Sequence, residues 1–323
     1  MNNVLVGIDI GGTKCAVSIG KTTETAIDVL AKEQFPTPAS PTLAIQTLIT
    51  TLDHLLDTLD LSASLCAIGI SCGSPLSSKK GLILSPPNLP HWDNIDIVGP
   101  FKEKYHVPVG LQNDANACAL AEWKWGAGRG CSNMIFLTFG TGMGAGLILD
   151  GKLYTGINDM AGEVGHIRME EDGPIGYGKR GSFEGFCSGG GIARLARHLA
   201  EQAIKEGNPP EFCTSLDDLG TITAKSVGLS AQKGDLLARR VYDIVGHQLG
   251  KGLALLIDLL NPERIVIGSI YGRQLELLEP IVKVEIEKEA LPISRKACEI
   301  VPAELGESVG DLASLSVAIN TVE

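Results

Sequence analysis

Basic residues are scarce in this chain of 323 residues. There are 27 Lys and Arg against 38 Asp and Glu, a formal net charge of −11. Nucleic acid is bound through a Lys/Arg surface, so no nucleic-acid partner is expected. The deficit leaves anionic nucleotides open, because backbone N–H groups and helix N-termini hold phosphate without side-chain cations. Long apolar runs are lacking as well. None approaches the roughly 20 residues of a membrane span, so no membrane is expected. The eight cysteines (15, 66, 72, 118, 131, 187, 213 and 298) include no Cys-x-x-Cys pair. Most lie in apolar surroundings and read as small buried hydrophobes in a reducing cytoplasm. The opening Met-Asn-Asn-Val-Leu-Val-Gly-Ile-Asp-Ile enters a strand pattern without a basic n-region or cleavage site. A cytoplasmic location is the expectation.

What is present is a well-packed globule, with 44% hydrophobic and 20% charged residues. The length exceeds one ordinary core, so two domains are the default. Val4 to Ile10 reads as a strand, Gly11-Gly12 as a tight turn and Cys15 to Ile19 as the returning strand. Ile45, Leu48, Ile49, Leu52, Leu55, Leu56 and Leu59 follow helical spacing. Ala67 to Ser71 is a short strand before Gly73-Ser74-Pro75, and residues 85–92 form a loop rich in Pro and Asn. Val107 to Gln112 predicts another strand, followed by a small-residue helix from Ala115 to Trp125 that Gly126 ends. The opening pattern then restarts as strand Met134 to Phe139, turn Gly140 to Gly144 and strand Ala145 to Leu149. This likeness of pattern rather than identity points to a duplicated domain. A helix carrying Val245, Leu249, Leu253, Leu256, Ile257 and Leu260 is stopped by Asn261-Pro262 before the strand Ile265 to Ser269. Alternating strands and helices predict α/β architecture. A boundary near 112–118 would put Asp114 in an interdomain cleft, where ligand sites are favoured.

Two glycine-rich turns carry the chemistry. Asp9-Ile10-Gly11-Gly12-Thr13-Lys14 offers backbone N–H groups, a hydroxyl and an ammonium, and Asp9 could hold magnesium because hard cations select carboxylate oxygen. By itself it could equally be an ordinary hairpin turn. Gly140, Gly142, Gly144 and Gly146 alternate around Thr141, a costly density unless something must come close to the backbone. No Gly-Lys-Ser/Thr ends this turn, and a strand rather than a helix follows it, so neither a Walker nor a Rossmann loop fits. A phosphate clamp of two facing hairpins remains. Between them stands Asp114. A sugar hydroxyl is a poor nucleophile, and phosphoryl transfer benefits from a carboxylate that accepts its proton. Alone, an Asp at a strand-to-helix junction is more simply an N-cap, and Asn113 and Asn116 fit either role. Ala161-Gly162-Glu163-Val164-Gly165-His166 pairs a carboxylate with an imidazole, as recognition of sugar hydroxyls requires. Taken singly, His166 could be a core histidine, and Glu163 and Glu184 surface carboxylates.

Together these segments resemble the ROK family (repressor, open reading frame, kinase) of sugar kinases. The likeness also takes in Pro87-Asn88-Leu89-Pro90, Gly181 to Gly185 and Ala303-Glu304-Leu305-Gly306, and spans nearly the whole chain. It implies a two-domain actin-like ATPase (ribonuclease H-like) fold with an interdomain active-site cleft. The smaller domain would hold residues 1–115 and 308–323, with a C-terminal helix near 308–321 returning to it, and the larger 116–307. It implies ATP- and Mg2+-dependent phosphorylation of a hexose by a homodimer or higher oligomer. Glucose at O6 leads, with allose, mannose, fructose and N-acetylmannosamine as alternatives. Asp114 matches the general base, and Asn88, Asn113, Glu163, His166 and Glu184 match sugar contacts. Asp9, Gly11, Gly12, Thr13 and Lys14 match one phosphate loop, Gly140, Thr141, Gly142 and Gly144 the other, and Gly268 lies where glycines meet the adenosine.

Two departures stand out. The usual Gly-Gly-Gly at the adenosine reads Gly268-Ser269-Ile270 here. The three cysteines that commonly bind a structural zinc with a histidine are replaced by Ile175, Tyr177 and Ser182. One His without a thiolate cannot build that site, so no structural zinc is expected. A cluster of Tyr177, Phe183 and Phe186 is the expected substitute for ordering 173–191. The family's repressor branch adds a helix-turn-helix before the first phosphate loop. Only eight residues precede Asp9, so a kinase is expected rather than a DNA-binding or non-catalytic sugar sensor.

Overall fold

The computed structural model of the protein describes residues 4–23, 26–306 and 309–323. Ser308, the expected start of the C-terminal helix, and the first three residues of the expected N-terminal domain lie outside the described residues. The apolar run at the start forms β1 (Val4–Ile10), which turns back into β2 (Lys14–Thr22), and β3 (Ile27–Pro36) adds to β2 antiparallel. Helix α1 (Pro41–Thr58) starts where Ser40 Oγ accepts from Leu43 N at 3.3 Å, with Pro41 at the first helical position. It buries Leu48, Leu52, Leu55 and Leu56, each contributing about 1.5–3 kcal/mol.

β4 (Leu65–Cys72) runs parallel to β1. After it come the short strands β5 (Leu76–Ser77), β6 (Leu82–Ile83) and β7 (Ile95–Asp96), and α2 (Gly99–Tyr105). β8 (Val109–Asn113) completes a sheet of order β3-β2-β1-β4-β8 and leads straight into α3 (Asp114–Trp125).

The second half repeats this topology. β9 (Met134–Phe139), β10 (Met143–Leu149) and β11 (Lys152–Tyr154) make the hairpin-linked trio. A small β12 (Ile175–Gly176) and β13 (Lys179–Arg180) hairpin follows, then α4 (Phe183–Phe186), α5 (Gly189–Lys205), α6 (Ala224–Lys233) and α7 (Leu236–Leu260). β14 (Arg264–Ile267), α8 (Ile270–Arg273), α9 (Leu275–Glu289), α10 (Pro292–Ala297) and β15 (Glu299–Pro302) lead to α11 (Val309–Val322). The second sheet has the order β11-β10-β9-β14-β15, which matches the first sheet position by position. The pattern likeness between residues 4–19 and the region after 133 is thus a likeness of topology.

Contacts group the chain into two compact units. One comprises Met1–Ser132, Gly146–Ala161 and Glu304–Glu323, the other Asn133–Ala145 and Gly162–Ala303. The sequence reading puts its boundary between 115 and 116, within the first turn of α3, whereas all of α3 is grouped with the first unit, where it packs against α11. There Trp125 Nε1 donates to Ser316 Oγ at 3.2 Å.

The first sheet buries Ile8, Ile10, Val17, Ile19, Ile68 and Ile70 in one core with Leu48, Leu52 and Phe101. On its α11 side the register aligns Gly7, Gly69 and Gly110 across three parallel strands. A Cβ at Gly69 would stand 2.1 Å from the Ser314 carbonyl oxygen, and one at Gly7 would stand 2.3 Å from Ser314 Oγ. The glycine row is the groove in which α11 lies. One step further along the strands the row becomes Asp9, Ser71 and Gln112.

Candidate active site

That polar row ends the three parallel strands at their carboxyl ends, where open α/β sheets bind ligands. Asp9 is the penultimate residue of β1, just ahead of the Gly11–Lys14 turn. The turn is held by Gly11 N to Lys14 O at 3.0 Å and by Thr37, whose Oγ1 donates to Gly11 O at 2.6 Å. Gly12, Thr13 and Lys14 are exposed. Asn88 sits beside the turn because Leu89 and Trp92 anchor its loop in the core. A Cβ at Gly12 would meet the Asn88 carbonyl oxygen at 2.4 Å, and one at Gly73 would meet Asn88 Oδ1 at 3.0 Å. Part of the room left by these glycines therefore serves the Asn88 loop.

At the β8–α3 junction the cap falls to Asn113. Its Oδ1 accepts from Asn116 N at 2.8 Å, with an extended backbone at φ −76° and ψ 164°. Asp114 is thereby the first helical residue and not the cap. Its side chain stays solvent-accessible, although much protein surrounds it, and Ser71 Oγ donates to its Oδ1 at 3.2 Å. Burial pushes the Asp114 carboxyl above its ordinary range, and the Ser71 bond opposes this. Asp9 rises from 3.8 to about 7, first through burial and second through the charge of Asp114, with Lys14 opposing. Two carboxylates that repel one another in a partly desolvated place favour proton sharing or a cation.

In the second unit the Gly140–Gly144 turn is tied down on several sides. Gly140 N donates to Gly142 O at 3.2 Å, Gly144 N to Thr138 Oγ1 at 2.8 Å, and Gly189 N to Gly140 O at 2.7 Å. Met143 N donates to Glu184 Oε2 at 3.1 Å. Thr141 at the tip is exposed. Gly162, at φ +90°, presses on β10, where a Cβ would stand 2.0 Å from the Ala145 carbonyl oxygen. At Gly165 a Cβ would stand 2.2 Å from the Met143 carbonyl oxygen and 3.2 Å from Glu184 Cβ. These close approaches bring Glu163 within electrostatic reach of Glu184 and His166. Burial and the Glu184 charge raise the Glu163 carboxyl, while His166 lowers it.

The sequence model of the ROK family matches residues 5–320. The chain belongs to the ROK family. A protein named glucokinase from Halalkalibacterium halodurans is 34% identical over 94% of this chain and 92% of its own length. The crystal structure of a ROK family glucokinase from Streptomyces griseus in complex with glucose and AMPPNP superposes with a TM-score of 0.72. It is 26% identical and covers 98% of this chain and 99% of that one. The DNA-binding transcriptional dual regulator NagC of Escherichia coli is 29% identical over 86% of this chain but only 66% of its own length. This ROK chain has the actin-like ATPase fold of the family.

Where the family's zinc loop would lie, residues 173–191 are ordered by other means, and the expected aromatic cluster does not form. Tyr177 and Gly178 are the two central residues of the β12–β13 hairpin, at φ 43° and 75°, as a tight two-residue turn demands. That conformation carries the Tyr177 ring into solvent, 72% exposed. Phe183 lies over Gly252 instead, and Phe186 over Gly173. Ser182 Oγ accepts from Gly185 N at 3.1 Å and donates to Gly176 O at 3.3 Å, which caps α4 and binds it to the hairpin. Lys251 and Gln248 hold Glu170 at 2.9 and 3.0 Å. A serine oxygen already engaged by two backbone groups, beside Ile175 and an outward Tyr177, does not fit a zinc ligand set.

Sequence reasoning missed two features. Ser269 keeps φ 55° and ψ −104°, a glycine-like conformation, although it occupies the place of a family glycine beside Gly268. Glu122, fully buried in α3, accepts from Ala127 N at 2.8 Å, Glu304 N at 3.2 Å and Leu305 N at 2.9 Å. The Ala303–Gly306 motif is thus anchored by a side chain 182 positions away. A lone Glu inside a small-residue helix was the available signal.

Proposed function

We propose that the protein is an ATP-dependent sugar kinase that phosphorylates a hexose, with glucose at O6 as the leading substrate. The position of Asp114 carries this reading. Asn113 takes the cap, so the carboxylate at the start of α3 is left accessible, next to Asp9 and the Gly11–Lys14 turn. The glucokinase name of a relative 34% identical supports the substrate class. Allose, mannose, fructose and N-acetylmannosamine are the alternatives.

In this mechanism Asp114 accepts the proton of the sugar hydroxyl. The hydroxyl oxygen then forms a bond to the γ-phosphorus, and the bond from that phosphorus to the β-bridging oxygen breaks to release ADP. A base made more basic by burial is suited to this task. Asp9, whose charge is poorly tolerated without a cation, would hold Mg2+ with the nucleotide, and the ion would neutralise phosphate charge. Asn88, Asn113, Glu163, His166 and Glu184 bind the sugar hydroxyls. The Gly11–Lys14 and Gly140–Gly144 turns hold phosphate, and Gly268 borders the adenosine. We also assign a cytoplasmic, homo-oligomeric state and no structural zinc; stoichiometric zinc in purified protein overturns the last point.

The test couples ADP release to a spectrophotometric signal across hexoses and N-acetylhexosamines. Sugar-dependent ATP consumption is expected, glucose giving the largest kcat/KM. Asp114→Asn should lower kcat by about 10²–10⁴-fold with sugar binding kept. No ATP consumption with any sugar sinks the kinase reading, and near-normal turnover of Asp114→Asn ends the role of Asp114.

A further inference from the structure

Ser71 has no part in any of the recognised motifs, yet the sheet delivers it to the reacting centre. In register it lies directly beside Asp9 on β1 and Gln112 on β8, and neighbouring residues of parallel strands face the same side. Asp114 opens α3 directly after β8 ends at Asn113, and its carboxylate reaches Ser71 there. The Ser71 side chain is buried, with the residue 3% exposed, and its hydroxyl donates to Asp114 Oδ1 at 3.2 Å.

A carboxylate at the first position of a helix can turn about its last torsion, because terminal sp³–sp² torsions are broad. A donor fixed in a strand removes that freedom. With Oδ1 engaged, Oδ2 is the oxygen left to take a proton. The donor itself is held by its place in the sheet. The adjacent glycine row seats α11 against β1, β4 and β8. A buried hydroxyl that lost this partner would be left unsatisfied, so the contact is retained when the sugar is absent.

We propose that Ser71 is the positioning residue for Asp114: its hydroxyl fixes the plane of the carboxylate and presents Oδ2 to the sugar hydroxyl. The proposal rests on Asp114 being the base of the kinase reading above. Ser71 touches neither substrate in this scheme and acts only through Asp114. Its effect therefore falls on turnover and disappears once the base is gone.

The experiment is a double-mutant cycle on the full chain, comparing wild type, Ser71→Ala, Asp114→Asn and the double variant. Turnover is read with the best sugar of the panel, and sugar binding is read separately by calorimetry. Ser71→Ala should lower kcat about 10- to 100-fold while the sugar Kd stays within about twofold. In the Asp114→Asn background the same change should alter kcat less than about twofold. Full turnover of Ser71→Ala, or the same loss in both backgrounds, overturns the proposal. If Ser71→Ala does not fold, Ser71→Cys, of similar size with a weak donor, is carried through the same cycle. A wild type that consumes no ATP with any sugar refutes the kinase reading instead, so the two failures are distinct.

Discussion

Replacing Gly69 by Ala tests whether the glycine row sets the place of α11. The added Cβ would lie 2.1 Å from the Ser314 carbonyl oxygen, 2.3 Å from Ala318 N and 2.9 Å from the Val317 carbonyl carbon. Ordinary contact begins near 3.4 Å, so the closest approach is short by about 1.3 Å. All three atoms are helix backbone, and no side chain can rotate away. α11 must move as a body or β4 must bend. Overpacking typically costs about 1–3 kcal/mol, and the lack of a flexible neighbour puts this case at about 3. At about 2–4 °C per kcal/mol for a protein of this order of size, Tm should fall by roughly 6–12 °C. Gly310→Ala on the same helix is the control, because a Cβ there meets nothing within 4 Å. It should leave stability unchanged or raise it by up to about 1 kcal/mol. The assay is calorimetric melting of the ligand-free protein, with urea unfolding alongside. A Gly69→Ala protein within about 0.5 kcal/mol of wild type refutes the close packing of α11 on β4.

Three further outcomes follow from the same packing and backbone geometry. Glu122→Ala should cost about 2–4 kcal/mol in urea unfolding, because three backbone N–H groups lose a buried carboxylate; an unchanged midpoint contradicts the anchoring of 304–305. Ser269→Gly should raise Tm by about 2–4 °C by relieving the φ 55°, ψ −104° conformation, and a lowered Tm shows that this backbone is not strained. Asp9 holds its proton up to about pH 7 when folded but only to about 3.8 when unfolded. Folded protein thus binds more protons between these values, and the stability of the ligand-free form falls as pH rises from about 4 to about 7. Asp9→Asn should flatten that slope in melts across the range; an unaltered slope assigns it to other groups.

Local patterning made the repeated hairpins, α1 and the strand after α7 legible, and small residues ended by Gly126 did the same for α3, since each is decided by residues a few positions apart. The β9–β10 echo of β1–β2 was visible for the same reason, and it proved to extend over five strands of each sheet. The cap at 113–114 was ambiguous in sequence. Asn and Asp are both good caps, and the choice depends on which residue keeps an extended backbone as β8 ends. Tyr177 was misassigned because aromatic composition suggests a cluster, while a two-residue turn imposes a left-handed backbone that turns the ring outward.

The sequence by itself determined the family and the α/β class and singled out the candidate site residues, because these are read from short motifs whose spacing is fixed along the chain. Only the tertiary structure decided which neighbours those residues have. Gly7, Gly69 and Gly110 are over forty positions apart from one to the next, and only strand register aligns them. The same register puts Ser71 beside Asp9 and within reach of Asp114, a contact across 43 positions. Side-chain partners chosen by pairing between distant strands leave no periodic trace in a single sequence.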